Sequence, residues 1–264
     1  MSDSLTSCAV AVLMAAEPVD KVALSGAMAQ AWREGGLGIG HADPPRRPAR
    51  PARPELKAPR EMPKRRAART RAARIALVHA LAHIELNAID LAWDIVARFT
   101  HERLPRAFYD DWVAVAAEEA KHFSLLTARL ADLGAAYGDL PAHDGLWEAA
   151  EATADDLAAR LAVVPLVLEA RGLDVAPAMI ERLHAAGDAK SAAILELIYR
   201  EEIGHVAAGR RWFEYVCGRR GLDPESTYHG LVRARFKGTL KPPFNATARD
   251  QAGLREGYYA PLAD

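Results

Sequence analysis

Cysteine is nearly absent from this 264-residue chain, which has only Cys8 and Cys217. That excludes a disulfide scaffold and a thiolate-bound metal cluster. Aromatic residues make up 7% while alanine and leucine abound, which favours helix over sheet. The formal net charge is -1, so no field of one sign argues for nucleic acid or a membrane surface as partner. No apolar run reaches the roughly 18 residues of a membrane span. The opening stretch MSDSLTSCAVAVLMAAEPVDK has an apolar middle with no basic residue ahead of it, so a cytoplasmic protein without a signal peptide is expected. Also missing are a glycine-rich phosphate loop, a dinucleotide fingerprint and a plausible serine triad. What remains is half hydrophobic and 26% charged, enough to bury a substantial core.

Seven of the 16 prolines cluster in one stretch. Lying between Pro44 and Pro63, they forbid continuous helix there and favour extended chain. The same run carries Arg46, Arg47, Arg50, Arg53, Arg60, Arg65 and Arg66. Four segments follow from this: residues 1–34 as two short helices broken at Glu17-Pro18, 35–68 as a Pro/Arg-rich arm, 69–218 as a helical bundle, and 219–264 as a tail packing on it. Within the bundle, helical periodicity predicts helices from about Arg69 to Phe99, Pro105 to Leu133, Gly145 to Arg171 and Asp188 to Cys217. Gly134, Gly172 and Gly218 serve as stops, Pro165 as a kink, and a short helix is expected from Ala176 to Ala186. Helices of about 27–30 residues, about 40 Å each, suit an all-α four-helix bundle. The tail is predicted to be extended near Pro242-Pro243 and helical from Ala246 to Glu256.

Two short words carry chemistry. EEAKHF (Glu118 to Phe123) and EEIGHV (Glu201 to Val206) each place a glutamate and a histidine three apart. In the second long helix Trp112, Val115, Glu119, His122, Leu126 and Leu133 trace the inward seam. In the last, Leu195, Ile198, Glu202, His205, Trp212 and Val216 do the same. Glu85 lies on the apolar stripe of Val78, Leu81, Ile89, Ala92 and Val96, and Glu169 stands near Pro165 in the third helix. A buried carboxylate costs several kcal/mol even after relaxation, so roughly that amount four times over needs a compensating charge. Two divalent cations supply it. One glutamate from each of two helices with Glu-x-x-His from two others is the ligand set of carboxylate-bridged dimetal bundles.

With HALAHIELNAIDLAWD, EARGLD and KPPFN, these words make the chain similar to the ferritin-like superfamily, and within it to a bacterial family known as a domain of unknown function. The resemblance implies a ferritin-like four-helix bundle with Glu85, Glu119, His122, Glu169, Glu202 and His205 at a di-iron centre. At superfamily level it extends to tRNA-hydroxylating enzymes. Oxygen and nitrogen ligation suits iron, manganese or a mixed pair, with dioxygen as co-substrate. The expected activity is an oxidase or hydroxylase acting on a small organic substrate with an external electron donor. A ferroxidase or metal-handling protein, an RNA-base hydroxylase and a structural metal module are the alternatives. Bulk iron storage fits poorly, because the arm and tail add to the compact bundle that a cage requires.

Around the ligands, Glu118 and Glu201 are expected to be partly exposed, with a supporting role beside the metal as the sharper reading. Tyr199, three residues before Glu202, is a core tyrosine or a lining of the oxygen pocket. Asn87 and Asp90 are candidates to orient a ligand histidine. His79 and His83 are expected to be surface or hydrogen-bonded histidines, and Arg171 to serve helix-end electrostatics. The arm lacks interleaved aromatics for base stacking, so a brace lying along the bundle, its arginines paired with surface acids, is favoured over nucleic-acid binding.

Overall fold

A computed structural model describes residues 4–62 and 70–263. Pro63, Arg65 and Arg66 of the arm, and Arg69 at the expected start of the first long helix, lie outside the described residues. Among the described residues the chain is helical and forms no strand. It divides into two units, Met1–Trp147 and Glu148–Asp264.

The first unit begins with α1 (Leu5–Met14) and α2 (Pro18–Arg33). Ser4 starts α1 through a reciprocal cap with Ser7, and Pro18 occupies the first turn of α2, where its missing N–H is harmless. The core of the unit is the pair α3 (Arg71–Arg98) and α4 (Arg106–Asp132), which pack along one another. Arg71 at the start of α3 donates from Nε to the Leu133 carbonyl at 2.8 Å, just past the end of α4, so the pair is antiparallel. Gly134 ends α4 with φ of 69°, a left-handed conformation that glycine adopts without strain. Among the described residues α3 is the one helix long and apolar enough to cross a membrane, yet 67% of its most apolar window is buried in the protein. Its apolarity serves the core.

The Pro/Arg arm lies against the rest of the first unit, but its Arg50 meets a fully buried acid, Asp90, where surface acids were expected. Its backbone is pinned by Ala49 N–H to the Leu13 carbonyl at 2.8 Å, and by Lys57 N–H to the Ala142 carbonyl at 2.8 Å. Arg47 pairs with Asp144, and Arg50 pairs with Asp90 while its Nη2 donates to Asn87 Oδ1 at 2.6 Å. Lys21 of α2 reaches the same Asp90 at 2.7 Å, and both side chains are 0% exposed. The ammonium also donates to the Val12 and Leu13 carbonyls at 3.0 and 3.2 Å. Thus one buried carboxylate on α3 ties the arm and α2 to the core pair.

The second unit departs from the expected helix pattern. No single helix runs from Gly145 to Arg171. Instead α5 (Gly145–Glu151), at the boundary between the units, ends in turns, and a rod starts afresh at α6 (Leu157–Val163), where Asp156 caps the Ala158 N–H at 3.1 Å. The rod continues through a π-helical turn (Val164–Glu169) into α7 (Ala170–Ala185). Gly172 does not stop it, since helical propensity is a weak signal beside tertiary packing. The stop is Gly187, with φ of 72°. The third long rod therefore exists, shifted toward the C-terminus, and the expected helix at Ala176–Ala186 is its last part. α8 (Ala189–Arg220) packs back on α7 after the Asp188 cap, and ends at Gly221. Beyond it, α9 (Pro224–Arg235) was not anticipated, although Asp223-Pro224-Glu225-Ser226 is an N-terminal signature and Asp223 caps the Ser226 N–H at 2.9 Å. The helix expected over Ala246–Glu256 is two pieces, α10 (Ala246–Gln251) and α11 (Glu256–Tyr259), parted at Gly253.

Asp90→Ala leaves the Lys21 ammonium buried without a counter-charge. It is expected to destabilise the chain by about 3–5 kcal/mol in urea unfolding. A change below about 1 kcal/mol would mean that the ion cluster does not hold α2 and the arm in place.

Candidate metal centre

In the first unit the antiparallel pairing of α3 and α4 brings Glu85, Glu119 and His122 together. Each offers a ligand atom, and these atoms lie within 4.8 Å of one another. His122 Nδ1 is 3.4 Å from Glu85 Oε2 and 3.4 Å from Glu119 Oε2. Glu119 and His122 are 1% and 0% exposed, and Glu85 is 4% exposed. The expected seam residues Trp112, Val115 and Leu126 of α4, and Leu133 just past its end, are buried as well. Three ionisable groups thus sit in an apolar shell. Burial by itself lowers the His122 pKa, but hydrogen bonding and charge from Glu119 and Glu85 outweigh it and raise the value to about 10. In metal-free protein the imidazolium offsets one of the two carboxylate charges.

The second unit carries the matching pair. On α8 His205 Nδ1 is 3.4 Å from Glu202 Oε1, with side-chain exposures of 1% and 13%. Leu195, Ile198, Trp212 and Val216 are buried along the same seam. Glu169 ends the π-helical turn on the rod packed against α8, and is half-buried. The turn has a local cause. Pro165 has no N–H to donate and its ring excludes the regular helical bond, so the ladder widens and the Ala170 N–H reaches back to the Pro165 carbonyl. Tyr228 of α9 donates its hydroxyl to the Leu166 carbonyl at 3.1 Å, satisfying a group in the widened turn. Gly209 of α8 faces the Pro165 ring so closely that a Cβ there would lie 2.4 Å from it. The absent side chain lets α8 approach the turn that carries Glu169.

Residues 14–260 match the model of a family described as a protein of unknown function, DUF455. The chain belongs to that family. It is also 44% identical over 211 residues to an uncharacterised protein of Haemophilus influenzae, covering 78% of this chain and 73% of that one. No solved structure matches it.

Other residues in this DUF455 chain divide by partner. Glu118 and Glu201 are half-buried, as expected of positions next to the seam. Asp90 faces Lys21 and Arg50, and Asn87 bonds Arg50 and donates to the His83 carbonyl at 2.8 Å. Both therefore stand in the arm clamp. His79 and His83 are hydrogen-bonded, and both are buried instead of lying on the surface. His79 Nε2 accepts from Gly138 N–H at 2.9 Å, and His83 Nδ1 lies 2.8 Å from the Tyr137 hydroxyl. Burial pushes the His83 pKa down to about 4, so it is neutral where His122 is charged. Tyr199 bonds Asn245 at 2.8 Å, and Arg171 donates to the Lys241 carbonyl at 2.7 Å. Sequence reasoning missed Lys21, Asp174, Asn245 and Arg249, whose contacts join segments too distant in sequence for periodicity to link.

The pH dependence of metal-free protein follows from His122. Its folded pKa, about 10, is above the ordinary 6.5, so its stabilising effect is complete below pH 6.5 and is lost as pH rises through about 10. In chelator-treated samples the stability gap between wild type and His122→Gln should close over that window. A gap that is constant or widens would show that His122 is neutral among the carboxylates.

Proposed function

We propose that this DUF455 protein is a ferritin-like, non-haem dimetal protein, an oxidoreductase that uses dioxygen on a small organic substrate. The observation that carries the reading is the convergence of Glu85, Glu119 and His122, buried and with ligand atoms within 4.8 Å. The second unit adds the Glu202–His205 pair on α8, with the half-buried Glu169 on the rod packed against that helix. Together the two half-sites offer four carboxylates and two imidazoles. That donor set fits two divalent ions of the iron or manganese kind, which neutralise the four acids and let the histidines bind as neutral ligands.

The residues have separable tasks in this reading. Glu85, Glu119 and His122 would hold metal from α3 and α4, with Glu169, Glu202 and His205 completing the shell. When bound, a ferrous pair supplies two electrons for the reduction of dioxygen. Trp112, Val115 and Leu126 keep water from the ligands of the first unit, and the low-polarity setting strengthens each ligand's hold. His122 gives up its proton when metal enters, so affinity rises with pH up to the His122 pKa of about 10. An external donor returns the electrons. The arm's Arg47 and Arg50 are engaged by Asp144 and Asp90, which supports a small-molecule substrate over a nucleic acid gripped by the arm.

Anaerobic dialysis against ferrous ion followed by elemental analysis tests the reading. About two metals per chain are expected for wild type. Glu119→Ala and His205→Ala should each lose metal while keeping helical circular dichroism, because each removes a ligand and leaves the apolar seam filled. Wild-type protein that retains no more metal than these variants would refute it.

A further inference from the structure

Two sequence words, EARGLD and KPPFN, meet inside the second unit. Their contacts reach the helical turns beside two of the metal-ligand candidates. Asn245 Nδ2 donates to the Leu173 carbonyl at 3.1 Å and to the Tyr199 hydroxyl at 2.8 Å. Leu173 follows Glu169 by four residues on α7, and Tyr199 precedes Glu202 by three on α8. Each contact is therefore one helical turn from a glutamate. A single side-chain amide links the two helices, one turn along the chain from each glutamate.

The link is itself firmly seated. The Asn245 backbone N–H donates to Asp174 Oδ1 at 3.0 Å. Arg249 grips that carboxylate with two donors, Nε at 2.9 Å and Nη2 at 2.8 Å, and the two side chains are 2% and 0% exposed. The guanidinium stacks against Phe244 and Tyr259, 5.0 and 4.5 Å from the ring centroids. Forked arginine–carboxylate pairing is demanding in geometry, so the tail has one seat on α7. Arg171 adds its bond to the Lys241 carbonyl two residues past Glu169. Asn245 Oδ1 also caps α10 by accepting the Ala248 N–H at 3.2 Å.

We infer that Asn245, acting through Tyr199 and the Leu173 carbonyl, is a positioning residue for the metal centre, fixing α7 against α8 so that Glu169 and Glu202 are held ready for metal. The inference rests on the dimetal reading above. It gives the C-terminal tail a task in metal binding beyond covering apolar surface. Groups hydrogen-bonded directly to metal ligands typically contribute about 10–100-fold to affinity, which sets the scale for this link one turn away.

Two variants isolate the link. Asn245→Ser keeps an oxygen to cap α10 but is too short to reach Leu173 and Tyr199. Tyr199→Phe removes only the acceptor on α8. The full-length chain is titrated anaerobically with Fe(II), and separately with Co(II), whose visible absorption reports ligand geometry. Both variants should keep wild-type circular dichroism, bind Fe(II) about 10–100-fold more weakly, and show a shifted Co(II) spectrum. Wild-type affinity and an unshifted spectrum in both variants, beside a wild-type chain that binds two metals, would overturn the positioning role and leave the dimetal reading standing. A wild-type chain that binds neither metal would overturn both.

Discussion

Buried carboxylates need a positive charge, and the candidate metal centre depends on that constraint. Glu85 and Glu119 sit in an apolar shell, where an uncompensated charge costs several kcal/mol each even after relaxation, roughly the scale of a whole domain's stability. His122 meets the need locally when protonated, 3.4 Å from both acids. A divalent ion meets it better and frees the imidazole to act as a ligand. A proton on His122 offsets one of the two carboxylate charges and a bound divalent ion would offset both, so in the dimetal reading metal binding and pH belong to a single equilibrium.

Each unit frames its part by the same device, a pair of packed long helices with auxiliary segments fixing their relation. In the first, the arm and α2 converge on Asp90, five residues past Glu85 on α3. In the second, the tail converges on Asp174, five residues past Glu169 on the rod containing α7. Both clamps use a buried aspartate gripped by an arginine from an extended or loosely helical segment. Buried ion pairs of this kind add little net stability over apolar packing, but they fix one arrangement among several. Specific placement is what a ligand set requires.

Much of this was legible in the chain because helical seams obey a fixed period. Trp112, Val115, Glu119, His122, Leu126 and Leu133 are all buried, and so are Leu195, Ile198, His205, Trp212 and Val216, with Glu202 nearly so. A glutamate and a histidine three apart on such a seam can only point inward. The third rod differs from its expected span because packing carries the helix through Gly172, and Asp156 and Gly187 mark its ends. Helix α9 was overlooked although Asp223-Pro224 announces it, since its buried face rests on only Tyr228 and Val232. The two clamps were illegible for another reason. Arg50 and Asp90 are 40 residues apart and Arg249 and Asp174 are 75 apart, and no local pattern in one chain encodes such pairings.

The most direct test is diffraction from crystals of the full chain grown with ferrous or manganous ion, collected at the absorption edge of that metal. Two anomalous peaks are expected, with Glu85, Glu119 and His122 of the first unit and Glu169, Glu202 and His205 of the second as their proposed ligands. Peaks only at the protein surface, or a bare proton-bridged cluster of Glu85, Glu119 and His122 in crystals that contain the metal elsewhere, would contradict it.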